Sequence, residues 1–277
     1  MLNQPQSEPQ ILHDLPAEFE VVKPLLRENL IPYIQISEIE VDESHPDYPL
    51  SRWHSKIGGD PYFPSHEAYP TSSVNGAPMP LLAQINCADV PPIAGFDFPT
   101  KGMLQFYVGG LQFYEAVPNK DFQVVYFPEI LEDEELLVTD FSFIDLAETF
   151  RRSYDYIFEL KFSERRDLFW YLQSSNYLYS HEDVPRDLCE KLDRWITDYY
   201  YETQPDGREL DQLGSKLGGY PDIHGTIEEE VVDVAEGRLL LEFSGFQGYD
   251  DYLFFYIKDD DLRACDFSNV EFFQCSD

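Results

Sequence analysis

The chain has 277 residues, 43% of them hydrophobic and 16% aromatic, a composition that excludes a disordered protein and suffices for a substantial core. Lys and Arg total 19 against 53 Asp and Glu, which gives a formal net charge of −34. This charge excludes nucleic acid and anionic membrane surfaces as natural partners, and it favours either a basic protein partner or solubility alone.

The amino-terminal part predicts a tail, a helix and a strand. Residues 1–30 are expected to form a flexible tail and an N-terminal helix, and Pro24 would interrupt that helix within residues 16–32. Residues 34–41 alternate apolar and polar side chains, which predicts a strand with one polar face. This strand lies in a first β-rich repeat, expected over residues 31–128.

A seven-residue motif occurs twice in the chain. Residues 55–61 read Ser-Lys-Ile-Gly-Gly-Asp-Pro, and residues 215–221 read Ser-Lys-Leu-Gly-Gly-Tyr-Pro. Three apolar segments typical of strands follow each copy in the same order. Residues 81–85, 104–108 and 121–127 parallel residues 239–243, 253–257 and 266–273. Four matches in one order predict two diverged copies of one strand-rich unit.

Between the copies, residues 129–210 predict an acidic and helical insert. Residues 153–162 alternate as a strand does, whereas Ser163 is expected to begin a helix. The clearest helix begins at Pro185, because apolar side chains follow it at spacings of three and four. These side chains are Leu188, Leu192, Trp195, Ile196 and Tyr199.

Residues 211–277 predict the second β-rich repeat. Together the elements predict an α+β fold, in which a mainly antiparallel β-sheet is built from two diverged repeats with the helical insert between them. The pattern leaves open whether the repeats form two domains or one compact domain.

The repeated motif supplies most candidate site residues. Its Gly-Gly-x-Pro portion predicts a tight turn, because Gly tolerates positive φ and Pro fixes the exit of the chain. Alternatively, the free N–H groups of the turn cradle an anion, and the equivalent lysines either bind that anion or pair with a local carboxylate. These structural or ligand-binding candidates are Lys56, Gly58, Gly59, Pro61, Tyr62, Gln84, Lys216, Gly218, Gly219, Pro221 and Asp222.

Catalytic and metal-binding motifs are not evident. The six histidines lack helical pairing, and the nucleophile elbow, dinucleotide and phosphate-loop patterns are missing. The four cysteines show no zinc spacing, and the acidic clusters 228–230 and 259–261 lack the alternation of a calcium loop. With no secretory signal and no apolar stretch of about 20 residues, we expect a cytoplasmic protein with reduced thiols, no catalytic residue, no cofactor and no metal.

Several segments resemble a known family. They read Ile-Pro-Tyr-Ile at 31–34, Leu-Ala-Gln-Ile-Asn at 82–86 and Gly-Met-Leu-Gln-Phe-Tyr at 102–107, together with both copies of the motif. Over roughly residues 30–277 the chain resembles the YwqG-like family, a bacterial group known as a domain of unknown function, DUF1963. The resemblance implies a mainly antiparallel α+β protein without an established catalytic site. Some relatives are encoded near secreted polymorphic toxins, which implies an immunity-type role.

The chain also departs from a simple duplication. The second copy has Leu-Glu-Phe where the first has Ala-Gln-Ile, so a role of Gln84 is not repeated. In addition, His224 and Gly225 stand where relatives often have Gln, which puts a shared ligand contact there in doubt.

Three functional hypotheses follow. The first is a non-catalytic protein-binding role, in which a basic toxin or effector domain is captured and neutralised by an acidic surface. Its candidate residues are Glu132, Asp133, Glu134 and Glu135. The alternative is an enzyme or small-ligand binder that uses a cleft between the two repeats, with Lys56, Lys216, Tyr62 and Gln84 as candidates. Mimicry of nucleic acid ranks last, because the acidic clusters show no regular period.

Overall fold

A computed structural model describes most of the chain. The described residues are 9–109, 117–118, 121–144, 157–168, 181, 184–202, 215–221, 235–244 and 251–276. Almost all of the expected flexible tail lies outside these ranges, and so do Asp222 and the acidic residues 228–230. Within these ranges, none of the helices combines the length and the apolar character that crossing a membrane requires.

One sheet of 11 strands organises the described residues, and all its pairings are antiparallel. The strands are β1 (Leu30–Glu40), β2 (Lys56–Ile57), β3 (Leu81–Asn86), β4 (Met103–Val108), β5 (Val117–Pro118), β6 (Phe122–Phe127), β7 (Phe158–Leu168), β8 (Lys216–Leu217), β9 (Arg238–Ser244), β10 (Asp251–Ile257) and β11 (Glu271–Ser276). Their spatial order is β5-β11-β10-β9-β8-β1-β7-β2-β3-β4-β6.

Helices are few among the described residues, and an α+β class fits the fold. They are α1 (Gln10–His13), α2 (Lys23–Glu28), α3 (Arg186–Glu202) and α4 (Asp259–Ala264), with short 3₁₀ turns at Ala17–Phe19, Cys87–Asp89 and Glu134–Leu136. The helix predicted after Pro185 is confirmed as α3, which buries Leu192 and Ile196 against the amino-terminal residues Phe19 and Leu26. The acidic cluster 259–261 forms the first turn of α4, where carboxylates face the positive end of the helix dipole.

The amino-terminal helix differs from its prediction. Pro24 does not interrupt a long helix, because it lies in the first turn of α2, where its missing N–H group costs no intrahelical hydrogen bond. The chain is already extended at Leu30, so β1 begins before the predicted strand 34–41.

The prediction of a helix that begins at Ser163 is wrong. Residues 158–168 form β7, which pairs with β1 along its whole length, from Glu40 opposite Phe158 to Leu30 opposite Leu168. This non-local pairing satisfies 11 residues of backbone on one side of β7, and it outweighs the local preference of Ser163 for a helix cap. The segment 129–210 therefore supplies a central strand of the sheet in addition to α3.

The sheet curves so that strands near its two ends pack on each other. The ring centroids of Phe106 in β4 and Phe255 in β10 lie 4.8 Å apart, and those of Phe122 and Phe272 lie 5.4 Å apart. Alternate residues of the strands point into this contact, and they form the largest cluster of buried apolar side chains. The core therefore lies on the concave face of the sheet.

Both Gly-Gly pairs adopt positive φ angles. The angles are 69° and 66° at Gly58 and Gly59, and 65° and 73° at Gly218 and Gly219. A Cβ atom on Gly219 would lie 2.7 Å from Cβ of Tyr33 in β1. The close approach of this turn to β1 therefore requires glycine for space as well as for conformation.

Gly219→Ala tests this double constraint, with Gly76→Ala as the matched control. Gly76 has a φ of 74°, and no heavy atom lies within 4 Å of the position that an added methyl group would take, so its substitution carries the conformational cost alone, about 1 kcal/mol. We expect Gly219→Ala to lower the free energy of unfolding by about 3 kcal/mol, since Tyr33 must also move. Urea denaturation of both variants measures the difference, and equal losses would contradict the steric argument.

Candidate functional site

The lysine of the first motif is buried in the middle of the sheet. Lys56 is 4% exposed and stands opposite Gln84 in β3 and Glu159 in β7. Its Nζ donates a hydrogen bond to the backbone carbonyl of Asp60 at 2.6 Å. Burial lowers the pKa of Lys56 to about 8, although the Asp60 carboxylate opposes this change. The amine therefore serves first as an internal donor to the turn of its own motif.

The lysine of the second motif has a different partner. Lys216 is 5% exposed, and its Nζ lies 3.7 Å from a carboxylate oxygen of Glu242, which is fully buried in β9. The same ammonium group lies 5.6 Å from the ring centroid of Tyr33, a distance typical of a cation–π contact. Lys216 thus pairs with a carboxylate, one of the two alternatives that its sequence position suggested.

Gln84 joins the first motif to the loop before it. Its Oε1 accepts a hydrogen bond from the backbone N–H of Tyr62 at 2.8 Å, and its Nε2 donates to the carbonyls of Arg52 and His54, each at 2.7 Å. Gln105 in β4 donates to the carbonyl of Tyr62 and to Oε1 of Gln84. Both ends of the Gln84 amide are therefore occupied within the protein.

Glu242 stands opposite Lys216 as Gln84 stands opposite Lys56, but it could not replace Gln84 in this network. A carboxylate accepts hydrogen bonds but cannot donate to the carbonyls that Gln84 holds. Glu242 instead faces a lysine close enough for an ion pair. The two positions are equivalent in register but perform different tasks.

A cluster of His45, Asp47 and Glu159 escaped the sequence analysis. One ligand atom from each of the three side chains lies within 4.8 Å of the others. However, Nε2 of His45 faces Glu159 at 3.3 Å, Lys161 pairs with the other oxygen of Glu159, and the Asp47 amide donates to Nδ1 of His45. These contacts already use both ring nitrogens of His45 and both carboxylate oxygens of Glu159, so we assign the cluster a structural role. No sequence pattern links residues 45 and 159.

A groove lies beside the ends of β3 and β4. It has a volume of about 560 Å³ and brings together four separated segments of the chain. Its lining residues are Trp53, Asn86, Ala88, Lys101, Gly102, Pro128, Glu129, Ile130 and Glu132. Apolar groups therefore line much of it, while two carboxylates and one ammonium group are the charged groups among these nine residues.

One wall of this groove continues into the acidic segment predicted to bind a partner. Glu132, Asp133, Glu134 and Glu135 are all exposed. Together with Glu129 they form a surface that we call the acidic ridge, residues 129–135.

The acidic ridge is held firmly on the protein. The backbone of Leu131 accepts a hydrogen bond from Trp53 Nε1 at 2.9 Å and donates one to the Tyr62 hydroxyl at 2.8 Å. The Asp133 side chain accepts from the backbone N–H of Glu135, and the Ser65 N–H donates to the carbonyl that follows the ridge, on Leu136. Tyr62 therefore acts as a buried support for the ridge, a role that the sequence did not reveal.

A second cavity, of about 280 Å³, lies against the second motif. Gly219, Tyr220 and Pro221 line it, together with residues from β1, from the start of β9 and from the loop 94–96. Lys56, Lys216, Tyr62 and Gln84 line neither of these two cavities. Of the predicted ligand-site residues within the described ranges, only Gly219 and Pro221 reach either one.

Comparison with known families identifies the chain. Residues 55–275 match the family model described as a domain of unknown function, DUF1963. The chain belongs to this family, as the resemblance of its motifs indicated. The match runs from the first motif to β11 and includes the groove except Trp53. No curated protein matches the chain significantly.

Lys56→Met tests the burial of an ionisable amine. Below pH 8 the folded and unfolded states both carry the proton on Lys56, and between pH 8 and 10.5 the folded state releases it first. The stability of the unmodified protein should therefore rise across this window by up to about 3 kcal/mol relative to the variant. Denaturant titrations at several pH values measure it. Lys101→Met, at an exposed site, should leave the rise in place, and a rise retained in Lys56→Met would contradict the assignment.

Gln84→Glu tests the amide network. The variant adds a carboxylate opposite Lys56 but removes both donors to the carbonyls of Arg52 and His54, and we expect a loss of about 2–4 kcal/mol in the free energy of unfolding at pH 7. Gln123→Glu makes the same change at an exposed position and should cost less than about 1 kcal/mol. Calorimetric melting compares them. A Gln84→Glu protein as stable as the control would show that the donors are dispensable.

Proposed function

We propose that this protein is a non-catalytic binding protein that captures a basic protein partner on the acidic ridge. The observation that carries the proposal is that the backbone of Leu131, inside the segment that presents the exposed carboxylates, is hydrogen-bonded to Trp53 and Tyr62, while the Asp133 carboxylate accepts a bond from the Glu135 N–H within the segment. A fixed array of like charges is costly for the free protein, and a cationic partner relieves that cost. Because the ridge is already ordered, binding loses little conformational entropy.

The overall charge supports the same kind of partner. A net charge of −34 speeds the encounter with a basic protein, and the effect weakens as salt rises. Among proteins of this type, an immunity-type role fits best: the ridge would cover a functional basic surface of a toxin or effector domain and so neutralise it. The resemblance to relatives encoded near toxins supports this choice, and a cytoplasmic location is part of the proposal.

We further propose that the sheet is built from two diverged copies of one backbone. At equivalent places β3 and β9 each carry a register shift, next to Leu82 and next to Leu240. The carbonyls of these leucines accept hydrogen bonds from Gly58 and Gly218, the first glycines of the two motifs. A shared bulge bonded to a shared turn supports a common origin more strongly than apolar similarity does.

The long strands support the same proposal. The N–H of Leu160 in β7 donates to Ser55, and the N–H of Ile36 in β1 donates to Ser215, so that each motif is paired with a long strand in the same way. Phe106 stands opposite Val124, and Phe255 stands opposite Phe272. If Phe106 and Phe255 are equivalent positions of the two copies, Val124 and Phe272 are equivalent as well. The sequence alignment of residues 121–127 with 266–273 is then shifted by two residues.

A small-ligand role remains the second candidate. The cavity of about 280 Å³ favours it, because Gly219 and Pro221 of the second motif line its wall beside Arg238 and Tyr256.

A quadruple variant tests the ridge. Glu132→Gln, Asp133→Asn, Glu134→Gln and Glu135→Gln together should weaken a complex with the product of the adjacent gene at least about tenfold, since each removes one charge pair. The control variant neutralises Glu18, Glu28, Glu43 and Glu190, which are exposed elsewhere, and should weaken the complex less than about threefold. Co-purification followed by titration calorimetry at low and high salt measures both. Equal weakening, or no complex at either salt, would contradict the proposal.

A further inference from the structure

We infer that the groove beside the acidic ridge is the anchor site for one arginine side chain of the partner, inserted along Trp53 between the carboxylates of Glu129 and Glu132. This inference rests on the proposed function and names the feature of the partner that the ridge would recognise. Nothing in the sequence motifs points to this site, because Trp53 precedes the first motif and the two glutamates belong to the ridge.

The chemistry of the lining selects a long cationic side chain. Trp53, Ala88, Pro128 and Ile130 offer apolar surface, which suits the methylene groups of arginine or lysine. The exposed carboxylates of Glu129 and Glu132, at the rim of the groove, suit the charged group at the end of such a side chain. A neutral apolar side chain would leave these carboxylates unpaired, and an anionic one would be repelled.

Arginine fits this lining better than lysine does. Its planar guanidinium group stacks on an indole face and binds carboxylates through two parallel hydrogen bonds, whereas an ammonium group does neither. Lys101 contributes one positive charge and the two glutamates contribute two negative charges, so the lining stays acidic. One bound arginine balances this excess, and a second cation beside it is therefore disfavoured.

Hydrogen bonds and close backbone packing hold the groove in shape, as an anchor site requires. Nε1 of Trp53 is bonded to the Leu131 carbonyl, and the Asn86 side chain donates to the Trp53 carbonyl at 3.3 Å. At Gly102 a Cβ atom would fall 2.4 Å from the carbonyl oxygen of Phe127, so β4 and β6 are in close contact at the end of the groove. With about 560 Å³ the groove exceeds one side chain and accommodates the residues that flank the anchor in an extended segment.

Titration of the full-length protein with a short peptide tests the anchor. The probe is a blocked nonapeptide of Gly and Ser with a central Arg, and its matched control carries neutral citrulline in place of Arg. The indole N–H signals of the tryptophans report binding by NMR, and Trp53→Phe assigns the signal of Trp53. We expect the Arg peptide to shift the Trp53 signal in a saturable way and to leave Trp195 in α3 unchanged, while the citrulline peptide shifts neither.

Two charge-matched double variants locate the contact. Glu129→Gln with Glu132→Gln should weaken the Arg peptide at least about fivefold, whereas Glu134→Gln with Glu135→Gln should weaken it less than about twofold. Equal weakening by the two pairs, or an unmoved Trp53 signal at saturating peptide, would overturn the anchor site. The ridge itself is tested separately: if the quadruple ridge variant loses the protein complex while the peptide leaves Trp53 unchanged, the ridge is right and the anchor is wrong. If no variant loses either the protein complex or the peptide contact, both the ridge and the anchor site are wrong.

Discussion

The antiparallel pairing of β1 with β7 holds the two sides of the sheet together. It joins 11 residue pairs, and it is the only link in the strand order between the β2-β3-β4-β6 side and the β8-β9-β10-β11 side of the described sheet. Because the two strands are far apart in sequence, their pairing carries a loop-closure cost that the buried core must offset. Both sides of the sheet extend from this central pair, and Phe106 of one side packs against Phe255 of the other.

Next to this pair, the same motif buries two lysines whose ammonium groups have different partners. Lys216 faces the carboxylate of Glu242, whereas Lys56 donates to a backbone carbonyl and lies opposite the neutral amide of Gln84. Burial of the Lys56 amine has a cost, and its lowered pKa expresses that cost, although the Asp60 carboxylate opposes the change. In return, Gln84 is available to hold the loop that carries Trp53.

This loop connects the interior of the protein to its acidic surface. Gln84 fixes the backbone of Arg52 and His54, Trp53 between them is bonded to Leu131, and Tyr62 supports the same residue from below. A charge of −34 spread over the whole surface would attract cations without selecting among them. Attachment of one acidic segment to the motif network gives that attraction a fixed geometry, which the proposed capture of one basic partner would require.

Some features could be predicted because they depend on local order along the chain. Helix α3 was predictable from apolar spacing after Pro185, and the DUF1963 family from the motif with its downstream strand, since both are properties of contiguous residues. The acidity of residues 132–135 was likewise evident. Strand β7 was predicted only in part, because the local sequence around Ser163 is compatible both with a helix cap and with a strand.

Residues close in the chain encode the composition, the family, the positions of the motifs and the sign of the surface charge, so these features can be read without the fold. The partner of each lysine, the attachment of the acidic segment, and the groove that Trp53 and Glu129 share appear only with the fold. These contacts join residues far apart in the chain, and their energies exist only after β1, β7 and the strands beside them have paired.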